Sequence, residues 1–328
     1  MKKLQWGIVG LGGIAHDFVK DLLLIEETSI GAVASRTLEK AKGFAQKYKV
    51  PKAYGSYTEL FKDADVDIVY IATPHDSHSV LSIEAMNAGK HVLCEKPLAI
   101  NESQVKNIIA AARRNNVFMM EAFWSRFNPA IRKTLELVQK GEIGAVNYIN
   151  SDFSFAINPS PDNRTLNMDL AGGSLMDMGV YPCFLSYLIL GEPEQILATG
   201  RFHQTGADLQ AAAIFKYENA IANMMSGFIS QSDMVAKIYG TKGRIYLPFI
   251  WHEAQGLTIV RGNGEEAISE KIDMPTFGKG FTYEIRECLF CIQNRQLEST
   301  LWSHQNSLDL VKITDEIRRQ MGLEYPFE

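Results

Sequence analysis

Three side chains in this sequence have types and surroundings suited to proton chemistry: Lys96, Asp177 and Tyr181. Lys96 lies in Gly89-Lys90-His91-Val92-Leu93-Cys94-Glu95-Lys96-Pro97-Leu98-Ala99. Val92 to Cys94 reads as a short buried strand. A strand that stops at Glu95-Lys96 delivers an ammonium group to the carboxyl edge of its sheet, where ligands bind in open α/β sheets. Pro97 halts the ladder and confines Lys96 to extended or turn geometry. A cis bond at Pro97 would fix the backbone under the ammonium. Asp177 and Tyr181 sit in Leu170-Ala171-Gly172-Gly173-Ser174-Leu175-Met176-Asp177-Met178-Gly179-Val180-Tyr181-Pro182, where Gly172-Gly173-Ser174 reads as a helix entry. Four positions apart, the two fall about 40° apart around a helix and share a face. A carboxylate and a phenol on an apolar segment need polar partners, and a lysine ammonium would serve both. Pro182 is expected to disfavour helical geometry at Tyr181 and to kink the segment. Taken singly, each has a bland reading: a solvated Glu-Lys pair, and a tyrosine packed in a core.

The elements around Lys96 read as a cofactor domain. Leu4 to Val9 is an apolar strand, followed by Gly10-Leu11-Gly12-Gly13-Ile14-Ala15 and then Phe18 and Leu22 at helical spacing from Ile14. Strand, glycine turn and helix form the context in which a GxGxxA pattern carries meaning. Gly10 permits the turn, and Gly12, with Gly13 and Ile14, lets backbone N–H groups approach a pyrophosphate at the helix N-terminus. Ala15 allows close helix–strand packing. The second strand, Ile30 to Ala34, ends in Ser35-Arg36-Thr37. An NAD enzyme would carry a carboxylate there for the ribose 2′-hydroxyl; a guanidinium with two hydroxyls suits a 2′-phosphate. NADP is therefore expected in preference to NAD. After the strand Asp67 to Ala72, Thr73-Pro74-His75-Asp76-Ser77-His78 reads as a loop lining the cofactor, with His78 packed or capping the helix at 79–88. His75 and His78 lack the i,i+4 spacing of a helical zinc pair, and no metal is expected. Capping signals appear at Ser56 and Asn101, and a strand follows at Val117 to Met120. The repeated β–α alternation over residues 1–122 argues a doubly wound parallel sheet.

After Glu121 the pattern changes. A helix near 130–139 is followed by strands at 145–155, 193–203, 207–217, 220–229, 233–240 and 243–247, with a turn at Glu218-Asn219. So few intervening helices suggest a mostly antiparallel sheet in an α+β domain over 123–328. A helix near 304–320 closes the chain. Cys288 and Cys291 form a lone CxxC on an amphipathic helix and are expected to pack in the core. A net charge of -5 argues against nucleic-acid or membrane-surface partners. No run reaches the roughly 18 apolar residues of a membrane span, and no signal-peptide core precedes Gly7, so a cytoplasmic location is expected.

Together these motifs resemble the glucose-fructose oxidoreductase / inositol dehydrogenase / MocA-like oxidoreductases (the Gfo/Idh/MocA family) over essentially the whole chain. The carriers are Gly10-Leu11-Gly12-Gly13-Ile14-Ala15, Glu95-Lys96-Pro97 and Asp177 to Tyr181. Many members have a His where Tyr181 stands. The Tyr, with Met120-Glu121-Ala122-Phe123-Trp124-Ser125-Arg126-Phe127 and Met178-Gly179-Val180-Tyr181-Pro182, looks most like the dimeric dihydrodiol dehydrogenase / D-xylose 1-dehydrogenase branch. That branch uses NADP, in agreement with Ser35-Arg36-Thr37. The resemblance implies Lys96 and Tyr181 as the catalytic pair, with Asp177 orienting Lys96 or a substrate hydroxyl. Near neutrality a phenol needs a neighbouring cation to act as a base; Lys96 would supply it. It implies contacts to the cofactor from Thr73, Pro74, His75, His78, Glu95 and Lys96. It also implies a substrate wall, for which Trp124, Arg126, Phe153 or Phe155, Trp251 and Phe277 are candidates. The loop at Asn158-Pro159-Ser160-Pro161-Asp162-Asn163-Arg164 matches no family pattern. The expected activity is hydride transfer between a nicotinamide and a secondary hydroxyl or carbonyl of a sugar, polyol or cyclic diol. A homodimer or homotetramer through the second-domain sheet is implied too. The alternatives are an inositol or amino-sugar dehydrogenase and a non-catalytic cofactor-sensing regulator; an intact Lys/Asp/Tyr set speaks against the last.

Overall fold

The computed structural model describes residues 3–157 and 163–328. The chain forms two compact units. The first holds residues 1–124 and 277–308, the second 125–276 and 309–328. The expected boundary near residue 122 thus has a counterpart at 124/125, while residues 277–308 pack with the first unit.

In the first unit, β1 (Leu4–Val9), α1 (Gly13–Leu22), β2 (Thr28–Ala34), α2 (Leu38–Tyr48), β3 (Lys52–Tyr54), α3 (Tyr57–Phe61), β4 (Ile68–Ile71), α4 (His78–Asn87), β5 (His91–Glu95), α5 (Glu102–Asn115) and β6 (Met119–Ala122) alternate. All strands run parallel, in the order β3-β2-β1-β4-β5-β6. The order reverses direction between β1 and β4, the switch point where doubly wound sheets bind their ligands. Buried on both faces, β4 reads Ile-Val-Tyr-Ile and the middle of β5 Val-Leu-Cys, as suits strands covered by helices. Helix starts follow the capping signals: Ser56 accepts from the Glu59 N–H at 3.2 Å and Asn101 from the Gln104 N–H at 2.9 Å.

The second unit starts with α6 (Pro129–Gln139) and β7 (Val146–Ser154), then α7 (Val180–Leu190), β8 (Gln195–Phe202), β9 (Asp208–Lys216), β10 (Ile221–Gly227), β11 (Ala236–Gly240), β12 (Gly243–Leu247), β13 (Gly256–Arg261) and β14 (Ile268–Asp273). Its eight-stranded sheet runs β14-β13-β12-β11-β7-β10-β9-β8. Every neighbouring pair is antiparallel except β7 with β10. The strand pattern expected to stop at residue 247 continues in β13 and β14. β14 is a nearly fully exposed edge strand without apolar alternation, so it carries no periodic signal.

Two further expectations change. Pro182 does not break the helix. Leu175–Gly179 forms a π-helical turn and α7 follows directly, so Pro182 falls in the first turn of α7, where a missing N–H costs least. And one stretch, Met168–Leu190, is long and apolar enough to cross a membrane by length and composition; 72% of its most apolar window is buried inside the protein. The last helices are α8 (Thr282–Gln293) and α9 (His304–Met321).

Candidate active site

The glycine turn joins β1 to α1 at the switch point. Gly10 has φ +83°, and a Cβ there would stand 2.5–2.7 Å from the Ala72 carbonyl and the Thr73 nitrogen, so only glycine fits. Gly12 is the N-cap of α1 and supplies no side chain to cap it. A Cβ at Gly12 or Gly13 would meet no atom within 4 Å. The space beside these glycines is therefore open at the start of α1, and no acidic residue in the first turn opposes an anion. This cradle fits a pyrophosphate. Ala15 is buried against the sheet and Ile14 is exposed. At the end of β2, Ser35 is buried while Arg36 and Thr37 are exposed. The Arg36 guanidinium acts electrostatically on Tyr57 and on Asp76.

The Lys96 loop is held on both sides. The Lys96–Pro97 peptide is cis. Buried His78 bridges the two loops of this edge, with Nδ1 2.8 Å from the Pro97 carbonyl oxygen and Nε2 2.9 Å from that of Thr73. His75 packs edge-on against it, ring centroids 5.7 Å apart, and Pro74, just before them in the loop, is half-buried. Glu121 Oε1 accepts from the Leu98 N–H at 2.9 Å, and its Oε2 accepts from Trp302 Nε1 at 3.1 Å and Ser307 Oγ at 2.7 Å. Glu95, buried, accepts a hydrogen bond from the Tyr70 hydroxyl. Burial pushes its carboxyl up to about 7, against the pull of the Tyr70 hydroxyl and the Lys96 ammonium. Lys96 itself is half-buried. Trp124 stacks on Phe281 at 4.8 Å in the same unit. Phe277 is 48% exposed, with the Arg286 guanidinium 6.0 Å from its ring centre.

In the second unit, Asp177 lies in the π-helical turn and Tyr181 in the first turn of α7. The entry to this run is set by a residue with no sequence signal: buried Asp208 on β9. Its Oδ2 accepts from Ser174 Oγ at 2.7 Å and from the Leu175 N–H at 2.8 Å. Burial pushes Asp208 up to about 6, against these donors. Gly173, at φ +130°, lies over it; a Cβ there would collide with Oδ1. Arg164 Nη2 meets both oxygens of Asp177, at 3.1 and 3.0 Å. Residues 158–162 of the unmatched loop lie outside the described residues.

Tyr181 is 5% exposed, and its ring centroid is 5.5 Å from Phe153 and 4.7 Å from His252. His252 stacks on Phe153 at 4.3 Å. The Ser125 hydroxyl holds the His252 carbonyl at 2.7 Å, and Asn128 Nδ2 holds that of Ala254 at 3.1 Å. His252 thus enters the tyrosine's surroundings unannounced by the sequence, though its neighbour Trp251 was a candidate. Trp251 itself is wholly buried, its indole N–H donating to the Asp152 carbonyl at 2.9 Å. Phe155 packs with Phe153 and Phe228, and Arg126 is buried in a short 3-10 turn.

A doubly wound sheet with an open glycine cradle at its switch point defines a dinucleotide-binding oxidoreductase architecture. The pattern described as an oxidoreductase family with an NAD-binding Rossmann fold matches residues 4–123, and the GFO/IDH/MocA C-terminal domain matches residues 131–246. The chain belongs to the Gfo/Idh/MocA oxidoreductase family. It is an NAD(P)-binding dehydrogenase acting on CH–OH groups. The trans-1,2-dihydrobenzene-1,2-diol dehydrogenase of Xenopus laevis is 39% identical over 98% of this chain and 99% of its own. The Mus musculus enzyme of the same name is 35% identical over 98% of both. Among solved structures, an aldose-aldose oxidoreductase from Caulobacter crescentus, complexed with glycerol, superposes with a TM-score of 0.87 at 26% identity over 97% of each chain. A 3-ketoreductase from Actinomadura kijaniata with NADP and TDP-benzene gives 0.88 at 24% over 98% of each, a likeness of fold.

Proposed function

We propose that the protein is an NADP-dependent dehydrogenase for a secondary hydroxyl of a sugar, polyol or cyclic diol, with trans-dihydrodiols the first substrates to try. The observation that carries this reading is the setting of Tyr181. It is a buried phenol walled by Phe153 and His252, one turn after an Arg-paired carboxylate. Aromatic walls with few polar groups suit ring-shaped diols and pyranoses. The dihydrodiol dehydrogenase relatives, matched along nearly their whole length, support the same substrate class.

In this reading residues 10–15 hold the pyrophosphate, and Ser35, Arg36 and Thr37 hold a 2′-phosphate. Thr73, Pro74, His75, His78 and Glu95 shape the remaining cofactor surface. When bound, the nicotinamide supplies the hydride acceptor. Tyr181 takes the hydroxyl proton, and the Lys96 ammonium favours the phenolate that this requires. Asp177 accepts a substrate hydroxyl, while Trp124, Arg126, Phe155, Trp251 and Phe277 shape the wall. Residues 123–328 also supply a face for a homodimer or homotetramer. On the sheet's open side Leu197, Ile214 and Ile221 are exposed, and Tyr148 and Tyr239 continue the row from Ile221 through β7 and β11.

The test is a panel of dihydrodiols, pyranoses, polyols, inositols and amino sugars, scored by NADPH absorbance with NAD in parallel. Turnover of a cyclic diol or pyranose with NADP is expected. A panel without turnover, or preference for NAD, overturns the reading.

A further inference from the structure

Among its described residues the first unit buries five carboxyl side chains, and four of them have hydrogen-bond donors. Asp63 accepts from the Lys52 ammonium, the Tyr54 hydroxyl and the Asp65 N–H. Asp21 of α1 accepts from the N–H groups of Lys279, Gly280 and Phe281 at 2.8–3.0 Å. Glu121 has three donors, and Glu95 has the Tyr70 hydroxyl. Glu284, in the first turn of α8, is the exception. It is fully buried, and neither carboxyl oxygen meets a hydrogen-bond donor among the described residues.

The groups that face Glu284 offer no compensating cation. They are Glu95 from β5, Asp21 from α1, Tyr70 from β4 and, one turn along α8, Cys288. The amides of residues 279–281, which lead into α8, are taken by Asp21 and not by Glu284. A carboxylate enclosed without donors gives up its charge instead of staying ionised. Burial first, and then the charges of Glu95 and Asp21, push Glu284 well above the usual carboxylate range. Burial likewise keeps Tyr70 a phenol, able to donate to Glu95.

We propose that Glu284 stands in the folded protein as a neutral carboxylic acid and acts as a positioning residue. It leaves Glu95 as the one member of the Tyr70–Glu95–Glu284 cluster able to carry negative charge directly before Lys96. An ionised Glu284 would favour the acid form of Glu95 and so remove negative charge that acts on the Lys96 ammonium. The consequence for turnover rests on the role proposed for Lys96; the charge state of Glu284 does not.

The test uses the full-length protein, as wild type, Glu284→Gln and Glu284→Met. Thermal midpoints are measured from pH 5 to 9. In the unfolded chain Glu284 ionises at the ordinary value, whereas in the fold it keeps its proton. Wild-type stability therefore falls as pH rises above that value, and the variants escape the loss. The midpoint advantage of Glu284→Gln over wild type is expected to grow by several degrees between pH 5 and 8. A difference that stays constant, or shrinks as pH rises, overturns the proposal. So does failure of both neutral variants to fold at pH 8. In the pH profile of kcat/KM, Glu284→Gln is expected to keep the wild-type acid limb within about 0.3 unit, a shift of roughly twofold in proton concentration; a displacement of a full unit or more overturns the positioning role. If Lys96 proves dispensable for turnover, the role proposed for Lys96 fails while the stability result stands.

Discussion

His78 and Pro97 are tied by a hydrogen-bond contact of 2.8 Å from the imidazole Nδ1 to the proline carbonyl, while the opposite ring nitrogen meets the Thr73 carbonyl at 2.9 Å. Both acceptors are backbone oxygens, so each contact calls for an N–H from the ring. The loop that follows β4 and the loop that carries Lys96 are thereby fastened through one buried side chain. Replacing His78 with Leu strands both carbonyls. A loss on the order of 2–3 kcal/mol is expected, read as a lower urea midpoint. Unchanged stability would mean that the bridge contributes nothing.

Lys96→Met and Tyr181→Phe are each expected to lower kcat by about 10²–10⁴-fold, the usual worth of a positioned proton-transfer group. NADPH affinity by fluorescence titration should stay within a few-fold. Near-normal turnover in either variant would remove that residue from the chemistry.

Arg36→Ala should weaken NADPH binding about 10–100-fold, since a charge-assisted contact contributes roughly 1.5–3 kcal/mol. NADH affinity should hardly move. Equal loss for both nucleotides would show that Arg36 does not read the 2′-phosphate.

Asp208→Ala removes the acceptor for Ser174 and Leu175 and is expected to cost about 1–2 kcal/mol, as for a lost helix cap. Asp208 also gives a pH signature. Its folded value, about 6, lies above that of the unfolded chain. Its contribution to stability is therefore fully present below the unfolded value and is lost as pH rises toward 6. The wild-type penalty relative to Asp208→Asn should accordingly grow between pH 4 and 6, as seen in thermal midpoints; a flat difference refutes the assignment.

Ile214→Lys paired with Tyr239→Lys places two charges on the open face of the second sheet. Sedimentation should show a smaller species than wild type, with NADPH binding intact. An unaltered mass would exclude this face as the assembly surface.

Much of this was legible in residue order. Strand, glycine turn and helix were readable because only glycine fits at position 10, against Ala72 and Thr73. Lys96 could be placed at a sheet edge because β5 is a short apolar run ending in charge and proline. Local caps at Ser56 and Asn101 were readable because donor and acceptor lie three residues apart. What escaped were partners brought together from afar. Asp208 looks like an ordinary strand-opening polar residue until Ser174 and Leu175 arrive from 34 and 33 positions away. His252 is one ring among many until it stacks on Phe153. Glu284 reads as a solvated helix residue, since its enclosure depends on α1, β4 and β5. β14 escaped because an exposed edge strand buries no alternating face.

The clasp of Asp21 on residues 279–281 has a consequence for how the chain is made. The first unit closes with a segment synthesised some 258 residues after Asp21. On the ribosome, the glycine cradle is therefore complete long before the helix that packs behind it exists. The second unit is largely translated in between. A fragment ending at residue 124 would expose the side of α1 where that segment docks, along with Glu121 deprived of Trp302 and Ser307. The first unit is thus built from a discontinuous chain, and truncations that remove residues 277–308 take away part of a body that begins at the other end of the sequence.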